Sequence, residues 1–298
     1  MTRSSGFVGS SISPTPPALE TTSNRSMSLN VWEDKMTGKS KGKTALITGA
    51  SSGIGKGFAA SFAADGYDLV LAARGVAKME ALGAELTRRH SVKVQVIGVD
   101  LETPSGAKAL FDDVKARGLT IDALVNNAGY GSFGEFKDAD LGAQLKMMHL
   151  NMDSLVSLTR LFLPDLIARK GGILNVASTA AFQPGPLMAV YYATKSFVLF
   201  FSEAVAEELA RDGVMVTTLC PGPTQSGFQE KAAAGDSGLF KGRRLPTSEA
   251  VAQYGFDAFQ RGKRVVIPGL VNWLMAESVR FTPRRVMTAM VMYISRRV

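Results

Sequence analysis

The chain has one cysteine, Cys220, and two histidines, His90 and His149, in 298 residues. A lone thiol cannot close an intramolecular disulfide, and neither histidine has a cysteine or carboxylate partner at ligand spacing. The expectation is a reducing, cytoplasmic setting and no metal. Long apolar runs are also missing: nothing approaches the roughly 18 uninterrupted apolar residues that a membrane-spanning helix needs, and no secretory apolar region stands near the start. Acidic residues are almost absent from Arg261 onward, where eight basic side chains meet the single acid Glu277 and carry nearly all of the net charge of +8. Such a balance raises nucleic acid or an anionic membrane as partners. The charges are interleaved with apolar residues and no recognition motif accompanies them, so nucleic acid is set aside.

What is present divides the chain into three parts. Residues 1–40 are rich in Ser, Thr and Pro without an apolar period, which predicts a disordered extension; the alternatives are an organelle transit peptide, or a shorter protein starting at Met27 or Met36. Residues 41–269 alternate short Val/Ile/Leu runs with longer stretches of helical period. "TALITG", "DLVLAAR", "VQVIGVD", "ALVNNAG", "GILNVAS", "VMVTTLCPG" and "RVVIPG" are near-continuously apolar, as buried parallel strands are. Helical spacing covers 53–64, 76–89 and 191–211. Seven strands separated by helices predict a single α/β domain, a doubly wound seven-stranded parallel sheet with helices on both faces, its ligand beyond the strands' carboxyl ends. Residues 270–298 form a basic tail in which Thr282 can cap a helix and Val286, Met287, Met290, Val291 and Ile294 share one face. Two readings of the tail stand: a helix packed over the domain or a second subunit, or an apolar face that with Trp273 and Phe281 touches an anionic membrane.

The turn "TGASSGIG", Thr48 to Gly55, lies where the first strand meets the first helix, where glycines let the backbone approach a pyrophosphate at the helix N-terminus. Its spacing resembles the T-G-x-x-x-G-x-G turn of the short-chain dehydrogenase/reductase superfamily. Further matches follow in order: Asp100 and Leu101, "NNAG" at 126–129, Asn151, Ser178, Tyr191 and Lys195 as Y-x-x-x-K, and "PGPT" at 221–224. The resemblance implies a Rossmann-type fold, a homo-oligomer (dimer or tetramer), and an oxidoreductase that interconverts a small-molecule carbonyl and alcohol by hydride transfer. By the same resemblance, Asn151, Ser178, Tyr191 and Lys195 are catalytic. Gly49, Ser51, Ser52, Gly53, Ile54, Gly55, Asp100, Leu101, Asn127, Ala128, Gly129, Pro221, Gly222 and Thr224 hold the cofactor together with Tyr191 and Lys195. The chemistry is consistent: hydride addition leaves charge on oxygen, so the site needs a proton donor, a hydrogen bond to that oxygen and a cation to make a phenol acidic. Lys195 is expected to lower the Tyr191 pKa, Ser178 to bond the substrate oxygen, and Asn151 to hold a water that leads to Lys195.

Two points are less direct. Helical geometry lets Tyr192 face Lys195 as well as Tyr191 does; only the resemblance selects Tyr191. At the end of the second strand an NAD enzyme would carry a carboxylate, whereas here Arg74 stands, which favours NADP(H). The substrate wall is expected from Phe182, Met188, Phe228 and Phe240, which favours an acyl, lipid or steroid-like ketone. The reading from another functional class is a catalytically silent NADP sensor or scaffold.

Overall fold

The computed structural model describes residues 40–227 and 245–296. The expectations for residues 1–39, for Phe228 and for Phe240 therefore lie outside the described residues. Seven strands, β1 Thr44–Thr48, β2 Asp68–Ala73, β3 Val94–Gly98, β4 Ala123–Asn126, β5 Gly172–Val176, β6 Met215–Leu219 and β7 Val265–Val266, form one parallel sheet in the order 3-2-1-4-5-6-7. The helices are α1 Gly53–Ala64, α2 Val76–His90, α3 Gly106–Ala116, α4 Leu141–Met148, α5 Ser154–Arg169, α6 Ala189–Glu208, α7 Ser248–Gln260, α8 Leu270–Ser278 and α9 Arg284–Ser295. The fold is thus the doubly wound sheet that the apolar runs imply.

Strand alternation sends neighbouring residues to opposite layers. Ala45, Ile47, Leu69, Leu71, Ala123 and Val125 join α1, α2 and α7 on one face. Leu46, Val70, Ala72 and Leu124 join α3, α5 and α6 on the other. The first layer centres on Phe62, whose ring meets Tyr67 at 5.0 Å, Phe256 at 4.7 Å and Phe259 at 5.7 Å. Both faces are covered, which is why the central strands read as unbroken apolar runs. The edges depart from that expectation: β3 buries only Ile97 of its five residues, and β7 spans two residues.

Chain direction across the sheet reverses between β1 and β4, and the crevice that opens there is where such folds bind ligands. The staple that holds it is Thr48, whose hydroxyl donates to Val125 O at 3.2 Å and accepts from the backbone N–H groups of Asn127 and Ala128 at 3.0 Å each. Asn127 returns the contact by donating to Thr48 O at 2.9 Å.

One helix expectation needs correction. The long stretch at 191–211 starts two residues earlier, at Ala189, and ends as α-helix at Glu208, continuing as a short 3₁₀ turn. Asn151 lies in a five-residue π-helical turn, His149–Asp153, between α4 and α5. Among the described residues no helix is long and apolar enough to cross a membrane.

Candidate active site

A cleft of about 1050 Å³ lies along the carboxyl ends of the strands, at the large end of ligand cavities, which run to about 1000 Å³. At its first wall the chain turns from β1 into α1 through Gly49, whose φ of +67° an L side chain rarely adopts. Gly55, at the start of α1, sits directly on the Gly49 carbonyl, and a Cβ there would collide with that oxygen. The turn is therefore a cradle closed by backbone, open toward the cleft through Gly49, Ser51, Ser52, Gly53 and Ile54. Its N–H groups and the positive end of α1 suit a pyrophosphate. Asp100, Leu101, Asn127, Ala128, Gly129, Pro221, Gly222 and Thr224 line the same cleft. Gly55 alone of the expected cofactor residues does not reach it, and acts by allowing the close approach of helix to turn.

Beyond β2 the cleft carries Arg74, joined by Lys78 from the first turn of α2. Arg74 is paired with Glu102 at 2.9 Å and is 60% exposed. Sequence reading missed both neighbours. Lys78 could have been found, since it stands four residues after Arg74 on the helix that leaves the same strand. Glu102, 28 positions away, gave no local signal.

At the opposite end, Ser178 closes β5, and its hydroxyl donates to Pro221 O at 3.3 Å while accepting from Ala180 N–H at 3.1 Å. Tyr191 and Lys195 stand one turn apart on α6. The Lys195 ammonium donates to Val176 O at 2.8 Å and lies 5.8 Å from the Tyr191 ring centroid. Burial drives Lys195 down to about 8. Burial also pushes the Tyr191 hydroxyl well above the ordinary phenol range, opposed by the hydrogen bond it shares with Ser178. Desolvation disfavours whichever form is charged, so the pocket holds a protonated phenol beside a lysine of weakened basicity.

Tyr192 lines the cleft too, but its ring rests on Gly185, where a Cβ would collide with it, and burial raises its hydroxyl to about 12. The Asn151 side chain bridges inward from the π turn. Its oxygen accepts from Tyr130 N–H at 3.2 Å, and its amide donates to Tyr130 O and Thr194 Oγ1, both at 3.0 Å. Both amide protons are committed, and the side-chain oxygen keeps a second lone pair.

Of the expected apolar wall, Met188 lines the cleft. Phe182 does not: it packs behind the wall with Ala177, Val198, Leu199 and Cys220. The unexpected contributors come from the tail. Asn272, Met275 and Ala276 of α8 and Ile294 of α9 line the cleft, while Met287 and Val291 of α9 share a buried cluster with Met147, Met188, Tyr191 and Tyr192. The expected stripe on α9 is split, since Val286 and Met290 are about half exposed. Thr282 does not cap the helix; its hydroxyl donates back to Ser278 O at 2.9 Å, and Pro283 occupies the cap position.

Comparison with known proteins was made on this basis. A very-long-chain 3-oxoacyl-CoA reductase of Bos taurus is 35% identical over 204 residues, 65% of this chain and 64% of the relative, so the match spans less than two thirds of that protein's length. Among solved structures, a short-chain dehydrogenase from Sphingobium yanoikuyae in complex with NADPH superposes with a TM-score of 0.71 at 31% identity, over 80% of this chain and 94% of that one. The bulky-bulky ketone specific alcohol dehydrogenase of Comamonas testosteroni gives 0.68 at 28%, over 80% and 92%. The family described as short chain dehydrogenase matches residues 43–237. With its parallel sheet, its glycine cradle and its tyrosine–lysine pair, the chain belongs to the short-chain dehydrogenase family.

Proposed function

We propose that the protein reduces the carbonyl of an apolar acyl substrate, a long-chain 3-oxoacyl thioester, with NADPH. The observation that carries the reading is the convergence of Ser178, Tyr191 and Lys195 at one end of a cleft whose other end holds Arg74 and Lys78. NADPH supplies the hydride when bound. Tyr191 delivers its proton to the carbonyl oxygen, and its raised pKa keeps that proton in place at neutral pH, which suits reduction. The Ser178 hydroxyl donates to the same oxygen as charge develops. Lys195, anchored on Val176 O, holds the floor of the site and returns a proton to Tyr191. Met188, Tyr192, Met275, Ala276 and Ile294 supply an apolar wall for an acyl chain, in keeping with the substrate named for the cattle relative.

The test is NADPH consumption with 3-oxoacyl-CoA substrates of increasing chain length, set against bulky ketones and steroids. Turnover is expected to rise with acyl length. Turnover of bulky ketones without any of long acyl thioesters overturns the substrate class. NADPH binding without turnover of any of them supports a nucleotide sensor instead.

Arg74 carries the cofactor preference in this reading. Its exposed pair with Glu102 is worth at most about 1 kcal/mol, whereas a charge-assisted contact to a 2′-phosphate is worth about 1.5–3 kcal/mol, so the arginine turns to the phosphate. Arg74→Ala is expected to weaken NADPH by about 10- to 100-fold and NADH much less. Glu102→Gln, which removes a like-charged neighbour, should tighten NADPH. Fluorescence titration of both cofactors reads this, and equal losses for the two would refute the assignment.

A further inference from the structure

The helices that follow β7 carry apolar residues on their outward side as well as their inward one. On α8, the side toward the domain carries Asn272 and Ala276, which line the cleft, while the outward side carries Leu270, Val271 and Leu274, exposed by 71%, 70% and 53%. α9 repeats the pattern: Met287, Val291 and Ser295 are buried, and Val286, Met290 and Tyr293 face out. Between the helices Phe281 is 87% exposed. A helix at the surface of a water-soluble domain places polar residues outward, and contiguous exposed apolar patches mark interaction sites. The charges beside these apolar residues are basic with one exception. Arg280, Arg284, Arg285 and Arg296 accompany it, with Glu277 as the only acid on the two helices, 3.4 Å from Arg280.

We propose that α8 and α9 form a docking surface for an anionic phospholipid bilayer, which the protein touches without crossing. Apolar side chains flanked by arginines match an interface in which acyl chains lie beneath anionic headgroups. A second copy of the chain fits less well, because an isologous contact through this patch brings its arginines against their own kind. Beside the patch, Arg284 and Arg285 rim a mostly apolar hollow against Pro184 and Pro186, a seat for one headgroup above its chain. Because Asn272, Met275 and Ala276 belong to the same helix as Leu270 and Leu274, the helix that docks also lines the cleft and brings the site to the lipid, where an apolar substrate is most concentrated.

The experiment is co-sedimentation of the full-length protein with vesicles of phosphatidylcholine alone or of phosphatidylcholine with phosphatidylserine, scored apart from turnover. Binding is expected only to the phosphatidylserine vesicles and should weaken as salt rises. Each arginine near such a surface contributes about 1 kcal/mol, so Arg284→Ala with Arg285→Ala should lower partitioning about 30-fold. Leu270→Glu with Leu274→Glu should abolish it, with the melting temperature of each variant checking that it folds. Absence of binding at low salt, or binding unchanged in both folded double variants, overturns the proposal. A loss of dimer mass in the leucine variant, with no vesicle binding by the parent, assigns the surface to a second copy and overturns it as well.

Discussion

Tyr191→Phe is expected to cut turnover by about 10²- to 10⁴-fold, the contribution of a positioned general acid, while NADPH binding stays nearly intact. Tyr192→Phe is expected to keep most of the activity. The asymmetry follows from what each ring touches. Tyr191 shares a hydrogen bond with Ser178 and stands by the Lys195 ammonium. Tyr192 has its ring on Gly185, 6.1 Å from the Tyr191 ring centroid and nearly perpendicular to it, and serves as cleft wall. Steady-state kinetics and cofactor titration on both variants check this. Similar losses in both would remove the distinction, and a severe loss confined to Tyr192→Phe would reverse it.

The second large effect concerns pH. In the folded chain Lys195 loses its proton near pH 8, pushed down from 10.5 by burial. Between those values the unfolded chain binds more protons than the folded one, so the lysine's contribution to stability rises with pH, by about 3 kcal/mol in all. Above pH 10 the sign reverses. Unfolded tyrosines then release protons that Tyr192 holds to about 12 and Tyr191 holds at least as firmly, so folding is disfavoured as pH climbs. Lys195→Met keeps the bulk and removes the buried charge. Relative to this variant, the parent should gain stability in urea titrations between pH 8 and 10.5, the range set by the lysine's folded and ordinary values. Parallel pH profiles for the two proteins would contradict the linkage. Turnover of Lys195→Met should fall throughout, because the proton route to Tyr191 is cut.

Much of the site was legible because its determinants are local. The Thr48–Gly55 turn requires glycine where the backbone is left-handed or crowded, and strands buried on both faces have no polar alternation to obscure them. The unresolved choice was between two tyrosines at helical spacing, since distance along a helix does not say which ring meets Ser178 and which meets Gly185. Arg74 was legible as a charge, but its pairing with Glu102 depends on the loop after β3 reaching the end of β2. Phe182 misled because an aromatic residue just after Ser178 can face either side of a 3₁₀ turn, and here it packs against the core. The tail misled for a different reason. Its expected face is split: Met287 and Val291 are buried as the amphipathic rule requires, but Val286 and Met290 stay half exposed while Ser295 is buried in their place.

The π turn at His149–Asp153 bears on how relatives should be compared. It ties together two loops and a helix: His149 meets Thr103 O at 3.0 Å in the loop after β3, where the adjoining Ser154 donates to Leu101 O at 2.6 Å, while Asn151 meets Tyr130 after β4 and Thr194 on α6. An ordinary helix advances about 100° per residue, so the extra residue absorbed by the wide turn sets the rotational phase between α4 and α5. A one-residue gap between Leu145 and Ser154 in an alignment therefore signals a turn of about 100° between α4 and α5, which takes Asn151 out of register with Tyr130 and Thr194.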